Sequence, residues 1–218
     1  MSFAEEIRRI RPYDWRKIKR GGPTMNQYLI EFMKKNTSFS KEVLEEIMRD
    51  MLIETYKKGT ILLRQGDISN KCYFVLKGCI RQYSFGKDGK EITNNFLTEE
   101  QAVVMFKSCK QRVASDYSLS CVEESILLVG DFATEENMYH KFPELDKITR
   151  SMLELSFGET QDASAVFMSS TPEERYRNIV QQRPSLIERV PQHQLASYLG
   201  MTPESLSRIK KRVSKEGV

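Results

Sequence analysis

The sequence predicts an α+β chain: a small antiparallel β-barrel or jelly roll set between helices and closed by a helix-turn-helix. Three observations predict it. Between Tyr56 and about Val129 the apolar periodicity is two, and Gly59, Gly66, Gly78, Gly86 and Gly89 divide the run into short strands. On both sides of this region the periodicity is helical. Residues 192–211, QHQLASYLGMTPESLSRIKK, have the spacing of two helices joined by a tight turn. The 218 residues suit one large or two modest domains, and the change of texture favours two.

Hydrophobic residues make up 39% of the chain and charged residues 29%, which excludes disordered and fibrous classes. The longest uncharged apolar runs, Ala102 to Phe106 and Ile126 to Val129, are far shorter than the roughly 18 residues of a membrane span. The N-terminal stretch mixes acids with bases and has no apolar run of the kind a secretory signal needs, so a cytoplasmic location is expected. Cys72, Cys79, Cys109 and Cys121 are therefore read as reduced thiols on strands, and none forms a C-x-x-C pair. No metal site and no cofactor are expected. His140 and His193 are the only histidines, too few for most histidine-dependent catalysis, and no enzyme activity is expected.

The net charge of +4 is unevenly spread. Residues 1–24 carry seven bases against three acids and residues 170–218 nine against five, so each end is +4 and the middle is −4. An anionic polymer would meet the ends of such a chain. A solvated basic surface explains the same numbers equally well.

Residues 1–24 read as a basic, turn-rich extension ending at Arg20-Gly21-Gly22-Pro23-Thr24, with Met25 an alternative start to Met1. From Asn26 to Met51 the stripes Leu29, Phe32, Met33 and Val43, Leu44, Ile47, Met48, Met51 predict two short helices broken near Asn36-Thr37-Ser38. Within the β region Arg81, Tyr83 and Phe85 alternate with Ile80, Gln82 and Ser84, and Ile92, Asn94 and Phe96 with Thr93, Asn95 and Leu97. Lys87-Asp88-Gly89 between these runs is a hairpin turn, because glycine accepts the positive φ needed there.

After Asp131 the period returns to helical. Leu145, Ile148, Met152 and Leu155 step by 3, 4 and 3, the spacing of a coiled-coil seam. Glu159 and Asp162 hold the next seam positions, and Leu153, Phe157, Ser164 and Phe167 form a second stripe beside it. So wide an apolar face must be covered, by the chain's own β domain or by a second copy. Thr171-Pro172-Glu173-Glu174 then offers an N-cap threonine, proline at the first helical position and glutamate three after the cap, which starts a new helix.

In the stretch that begins at Gln192, small Ala196 is placed where two helices cross and Gly200 where the turn needs positive φ. Leu195, Leu199, Met201, Leu206 and Ile209 fill the apolar positions, Thr202 caps the second helix and Pro203 opens it. In such a motif the second helix enters the DNA major groove by its N-terminal exposed face. Glu204, Ser205, Ser207 and Arg208 occupy that face. Glutamate can accept from cytosine N4 and arginine can hold guanine O6 and N7; an ordinary surface pair between Glu204 and Arg208 is the competing reading. Lys210, Lys211, Arg212 and Lys215 follow and can neutralise phosphates.

From about Met25 to Arg212 the chain resembles the Crp/Fnr-type transcription regulators, of the kind common in Bacteroidetes. The resemblance is carried by Gly59-Thr60-Ile61-Leu62-Leu63-Arg64-Gln65-Gly66-Asp67, by Tyr73-Phe74-Val75-Leu76-Lys77-Gly78, by Thr171-Pro172-Glu173-Glu174-Arg175-Tyr176 and by the helix-turn-helix. It implies an N-terminal cyclic-nucleotide-binding-like β-roll (a double-stranded β-helix or jelly roll), a long dimerisation helix and a C-terminal, winged-helix-like DNA-binding domain. The corresponding boundaries are 1–24 for the extension, 25–132 for the sensor, 133–169 for the dimerisation region and 170–218 for the helix-turn-helix. It also implies a homodimer on a pseudo-palindromic duplex, paired through Leu145, Ile148, Met152 and Leu155. The family's Glu-x-x-Ser-Arg signature falls on Glu204, Ser207 and Arg208 as base contacts, with Thr202, Ser205, Lys210, Lys211 and Arg212 left for the backbone.

The ligand pocket departs from the family pattern. Members that bind cyclic AMP have Gly-Glu in the phosphate cassette and an Arg-Ser pair about ten residues later. Here the stretch is Phe96-Leu97-Thr98-Glu99-Glu100-Gln101-Ala102 and the later pair is Ala114-Ser115. Glu99, Glu100, Arg112 and Ser115 are the candidate effector pocket, with Arg112 the substitute cation. Two carboxylates without a cation repel a phosphate, so cyclic AMP is not expected to bind. The cysteines do not match the N-terminal cluster of oxygen-sensing members, and no haem ligand set is visible. A cupin enzyme would need histidines on the strands, where there are none. A cyclic-nucleotide-binding module acting on a protein partner is the remaining alternative.

Overall fold

The computed structural model describes residues 25–215. The basic extension expected over residues 1–24 lies outside them. Helices α1 (Met25–Asn36) and α2 (Lys41–Asp50) come first, and the second is started by Ser40, whose hydroxyl accepts from the Val43 N–H.

Eight strands follow among the described residues: β1 (Leu52–Tyr56), β2 (Ile61–Leu63), β3 (Cys72–Lys77), β4 (Ile80–Phe85), β5 (Glu91–Leu97), β6 (Ala102–Val103), β7 (Ser118–Cys121) and β8 (Ser125–Gly130). They form two four-stranded sheets, β1-β8-β3-β6 and β2-β7-β4-β5, antiparallel throughout. The β4–β5 hairpin turns where the sequence places it: Phe85 pairs with Glu91 and Gly89 has φ +75°. A short helix α3 (Phe106–Gln111) interrupts the strands.

The two sheets close on each other through alternate side chains. Tyr73, Val75, Ile80, Leu119, Cys121, Leu127 and Val129 form the core between them. Their opposite faces are covered by different helices, because strands buried on both sides carry apolar residues at both parities. On the first sheet, Leu76 joins Leu29 and Met33 of α1, Leu44 and Ile47 of α2, Met138 of α4 (Phe132–Lys141) and Leu145 of α5 (Pro143–Ser169). On the second sheet, Cys79, Phe96 and Val122 join the C-terminal helices α6 (Pro172–Gln182), α7 (Pro184–Arg189), α8 (Gln192–Tyr198) and α9 (Pro203–Lys215). The order of layers is helix, sheet, sheet, helix.

Helix α5 is 27 residues long and emerges from this stack. Leu145 at its start is packed into the chain's own core, Ile148 and Met152 are half-buried, and Leu155 is 40% exposed. Beyond Gly158 nearly every position is exposed, including Val166, Phe167 and Met168 at 45, 37 and 83%. The first residue of the expected seam is thus covered within the chain, the next two are half-covered, and Leu155 is open.

Candidate nucleic-acid interface

The C-terminal helices are started by local chemistry. At α6 the capping box forms in full: the Thr171 hydroxyl accepts from the Glu174 N–H at 3.3 Å, and the Glu174 carboxylate accepts from the Thr171 N–H at 2.7 Å. That backbone N–H, with the Thr171 hydroxyl second, holds the Glu174 carboxyl below its ordinary value. Between α8 and α9 the turn needs Gly200, with φ +68°. A Cβ there would also come within 3.0 Å of the Arg175 guanidinium and 3.2 Å of the Phe167 ring. Arg175 ties this turn to the end of α5: it donates to the Leu199 carbonyl at 3.2 Å and to the Phe167 carbonyl at 3.1 Å, and it stacks 3.8 Å above the Phe167 ring.

Helix α9 then begins at Pro203, with the Thr202 hydroxyl accepting from the Ser205 N–H at 3.2 Å and donating to the Ser205 hydroxyl. Leu206, Ile209 and Val213 are buried against Leu195, Ala196, Leu199 and Tyr176. This pins the opposite face outward, and Glu204, Ser207 and Arg208 are all exposed. No ion pair links Glu204 to Arg208 among the described residues. The Glu204 carboxyl is held below its ordinary value by its own backbone N–H, then by the Thr202 hydroxyl, with the Arg208 charge a lesser cause. Glu204 is therefore an ionised, acceptor-only group at neutral pH, the state that suits a cytosine amino group.

The expected phosphate contacts differ among themselves. Lys211 is exposed; Lys210 donates to the Gln192 side chain at 3.2 Å, bridging the two helices of the motif. Arg212 is paired with Glu173 at 3.1 Å, a carboxylate that also binds Arg177 at 2.9 Å. Thr202 and Ser205 serve the helix cap. Spacing along one helix could not reveal the Arg212 pair, since Glu173 arrives from α6.

The candidate effector residues do not form one pocket. Glu99 and Glu100 lie together in the β5–β6 connection, where Glu100 has φ +63°. Arg112 is an exposed left-handed cap of α3, and Ser115 is buried with its hydroxyl donating to the Tyr117 carbonyl at 2.8 Å. Neither touches the two glutamates among the described residues. The expectation of carboxylates without a cation needs correction: Lys35 of α1 pairs with Glu100 at 3.3 Å, and Arg189 of α7 pairs with Glu99 at 2.8 Å and with Glu123 at 2.5 Å. Both cations come from elements distant in sequence. Each is already matched by carboxylates, so no excess positive charge faces a phosphate. The cleft beside Glu99 and Glu100, walled by Phe32 and Phe74, holds about 50 Å³, well below the roughly 300 Å³ at which small-molecule pockets begin.

A larger hollow of about 260 Å³ opens between Tyr56, Leu63, Lys71 and Tyr73, away from these residues. The four cysteines are buried and form no disulfide, and the described residues contain no group of three His, Cys, Asp or Glu side chains able to hold a metal. No described helix is long and apolar enough to cross a membrane.

Residues 53–134 match the cyclic nucleotide-binding domain family. No curated protein matches the sequence. Among solved structures, the chain resembles the c-di-GMP-responsive global regulator CLP of Xanthomonas campestris, at 14% identity over 82% of this chain and 93% of that one, with a TM-score of 0.63. It resembles a CooA variant from Carboxydothermus hydrogenoformans at 17% identity over 87 and 85% of the two chains, with a TM-score of 0.64. FixK2 of Bradyrhizobium japonicum is similar at 15% identity over 77 and 86%, with a TM-score of 0.60. At these identities the likeness is one of fold.

Proposed function

We propose that this chain, whose fold is that of the Crp/Fnr-type transcription regulators, is a sequence-specific DNA-binding regulator that acts as a homodimer on an inverted-repeat duplex. One observation carries the reading: Glu204, Ser207 and Arg208 share the exposed N-terminal face of a helix whose start is set by Gly200 and Thr202 and whose other face is buried. That is the part of a helix-turn-helix that enters the major groove. Glu204 and Arg208 read base edges, Ser207 contacts a base or its phosphate, and Lys211 neutralises a neighbouring phosphate. Lys210 and Arg212 join it once their partners Gln192 and Glu173 exchange for phosphate, and Thr202 and Ser205 meet the backbone at the helix start.

Residues 25–132 are the sensor domain, 133–169 the dimerisation region and 170–218 the DNA-binding domain, and the protein works in the cytoplasm without catalysing a reaction. Ile148, Met152 and Leu155 pair with a second copy, and Leu145 anchors the helix that carries them. The sensor's effector is not cyclic AMP, given the missing cassette arginine, the matched charges at Glu99 and Glu100 and the narrow cleft.

Selection of bound duplexes from random DNA, followed by sequencing, tests this reading. An inverted repeat with half-site centres about one helical turn apart is expected. Recovery of no enriched sequence would overturn it.

A further inference from the structure

We propose that Arg189 is a positioning residue for DNA reading: it locks the helix-turn-helix onto the β-roll through Glu99 and Glu123, and this docked state is the one that engages both halves of an operator. The inference rests on the DNA-binding reading above and deepens it.

Arg189 ends α7, and its side chain is only 8% exposed. Its guanidinium donates to both oxygens of Glu99 at 2.9 and 2.8 Å, to Glu123 at 2.9 and 2.5 Å, and to the Gly78 carbonyl at 2.7 Å. All three acceptors belong to the β-roll. They are themselves fixed, for the Gly78 N–H donates to Glu99 at 2.8 Å. Gly78, at φ +114°, cannot carry a Cβ, which would fall 2.3 Å from the Ser125 hydroxyl. A lysine would supply one point charge where this site uses a planar fork on two carboxylates and a carbonyl.

The lock is one part of a built interface. Arg183 donates to the Phe96 carbonyl at 2.7 Å, the Thr93 N–H donates to the Ser197 hydroxyl at 2.9 Å, and the Phe96 and Tyr198 rings meet edge to face at 5.4 Å. Helix α8 thereby covers the edge strand β5. The recognition helix α9 packs chiefly on α6 and α8, with Leu206, Ile209 and Val213 turned inward, and its reading face is exposed. A contact that blocked DNA would cover that face; this one leaves it open and restrains everything behind it.

The restraint bears on affinity through the second half-site. On the α5 side the domain hangs from an extended joint at Ser170 and the Arg175 contacts. Two domains free to swing would have to be aligned on each encounter, whereas two domains already held lose little freedom when the second half-site is engaged. Glu99 also sits beside Glu100, which pairs with Lys35 of α1, so a displacement of residues 98–101 in the sensor is transmitted to the DNA-binding domain through Arg189.

The experiment compares the full-length wild type, Arg189→Lys and the double variant Glu99→Gln with Glu123→Gln. Each is titrated against a selected inverted repeat and against the same duplex with one half-site scrambled. Hydrogen exchange is followed over residues 91–99, 192–199 and 203–213. Both variants should lose about tenfold or more on the inverted repeat and less than about threefold on the single half-site. Exchange should rise over 91–99 and 192–199 and stay unchanged over 203–213. Equal losses on the two duplexes would reduce Arg189 to general stability and overturn the proposal, as would unchanged or tighter binding to the repeat. Unchanged exchange at the interface would overturn the lock by itself. A wild type that prefers no duplex would sink the DNA reading, and this role with it.

Discussion

Side chains on one helix face are expected to fail in different ways. Arg208 is exposed on the N-terminal half of α9 and Lys211 lies about one turn further on; in the proposed docking the first meets bases and the second a phosphate. Arg208→Ala should cost about 1 to 3 kcal/mol on the preferred duplex and flatten the preference at one guanine. Lys211→Ala should weaken all sequences alike and lower the salt slope by about one. Binding isotherms on matched and singly substituted duplexes at several salt concentrations separate the two. If Arg208→Ala weakens specific and nonspecific duplexes equally, base readout by this residue is wrong.

The cysteines make a second case at this scale. Burial pushes the Cys79 thiol up to about 12 and the Cys121 thiol up to about 11. Thiolate is the reactive form, so neither residue should be alkylated by iodoacetamide in the native protein at pH 7.5, and both should be after denaturation. Mass spectrometry of the modified peptides decides, and rapid native labelling of either would contradict the burial.

Among the elements, α5 and α6 carry separate expectations. Leu155, at 40% exposure, can be changed with little effect on the folded chain, unlike Leu145, which is buried in its core. If the open part of α5 is the dimer seam, the wild type should sediment as a dimer at micromolar concentration and Leu155→Glu as a monomer, because two carboxylates would face each other across the axis. A dimeric Leu155→Glu would place the contact elsewhere.

For α6 the cap is the measurable quantity. Thr171→Ala should cost about 1 kcal/mol in chemical denaturation at pH 7. The Glu174 carboxyl has a folded value depressed below 4.5, so its share of the capping box is fully present above 4.5 and lost as the pH falls through the folded value. The destabilisation produced by Glu174→Gln should therefore be largest at neutral pH and shrink towards pH 3.

Across the whole molecule the layers explain why the β-roll is expected not to bind cyclic AMP. The cassette region is knitted to both outer helical layers, Glu100 to α1 and Glu99 to α7, and its cations are already matched. A cyclic phosphate would have to break these pairs and would find no replacement charge. Calorimetry with cyclic AMP should give no saturable heat at micromolar ligand; a dissociation constant in that range would mean that one of these cations exchanges its partner.

Elements whose physics is local are legible in the amino-acid order. The β4–β5 turn, the Thr171 capping box, the Gly200 turn and the two faces of α9 all follow from positive φ, capping chemistry and period, which act over a few residues. The resemblance in motifs supplied the β-roll architecture, and the fold agrees. How the parts are joined emerges from the folded chain. Phe96, Cys79 and Val122 read as ordinary strand and turn residues, yet they are the floor on which the C-terminal helices rest. The cations of Glu99 and Glu100 lie 90 and 65 residues away in the chain, and Leu145 turned from a seam position into a core residue once α1, α2 and α4 closed around it. No periodicity carries such information, because a contact between distant segments is fixed by which faces remain uncovered after every element has formed.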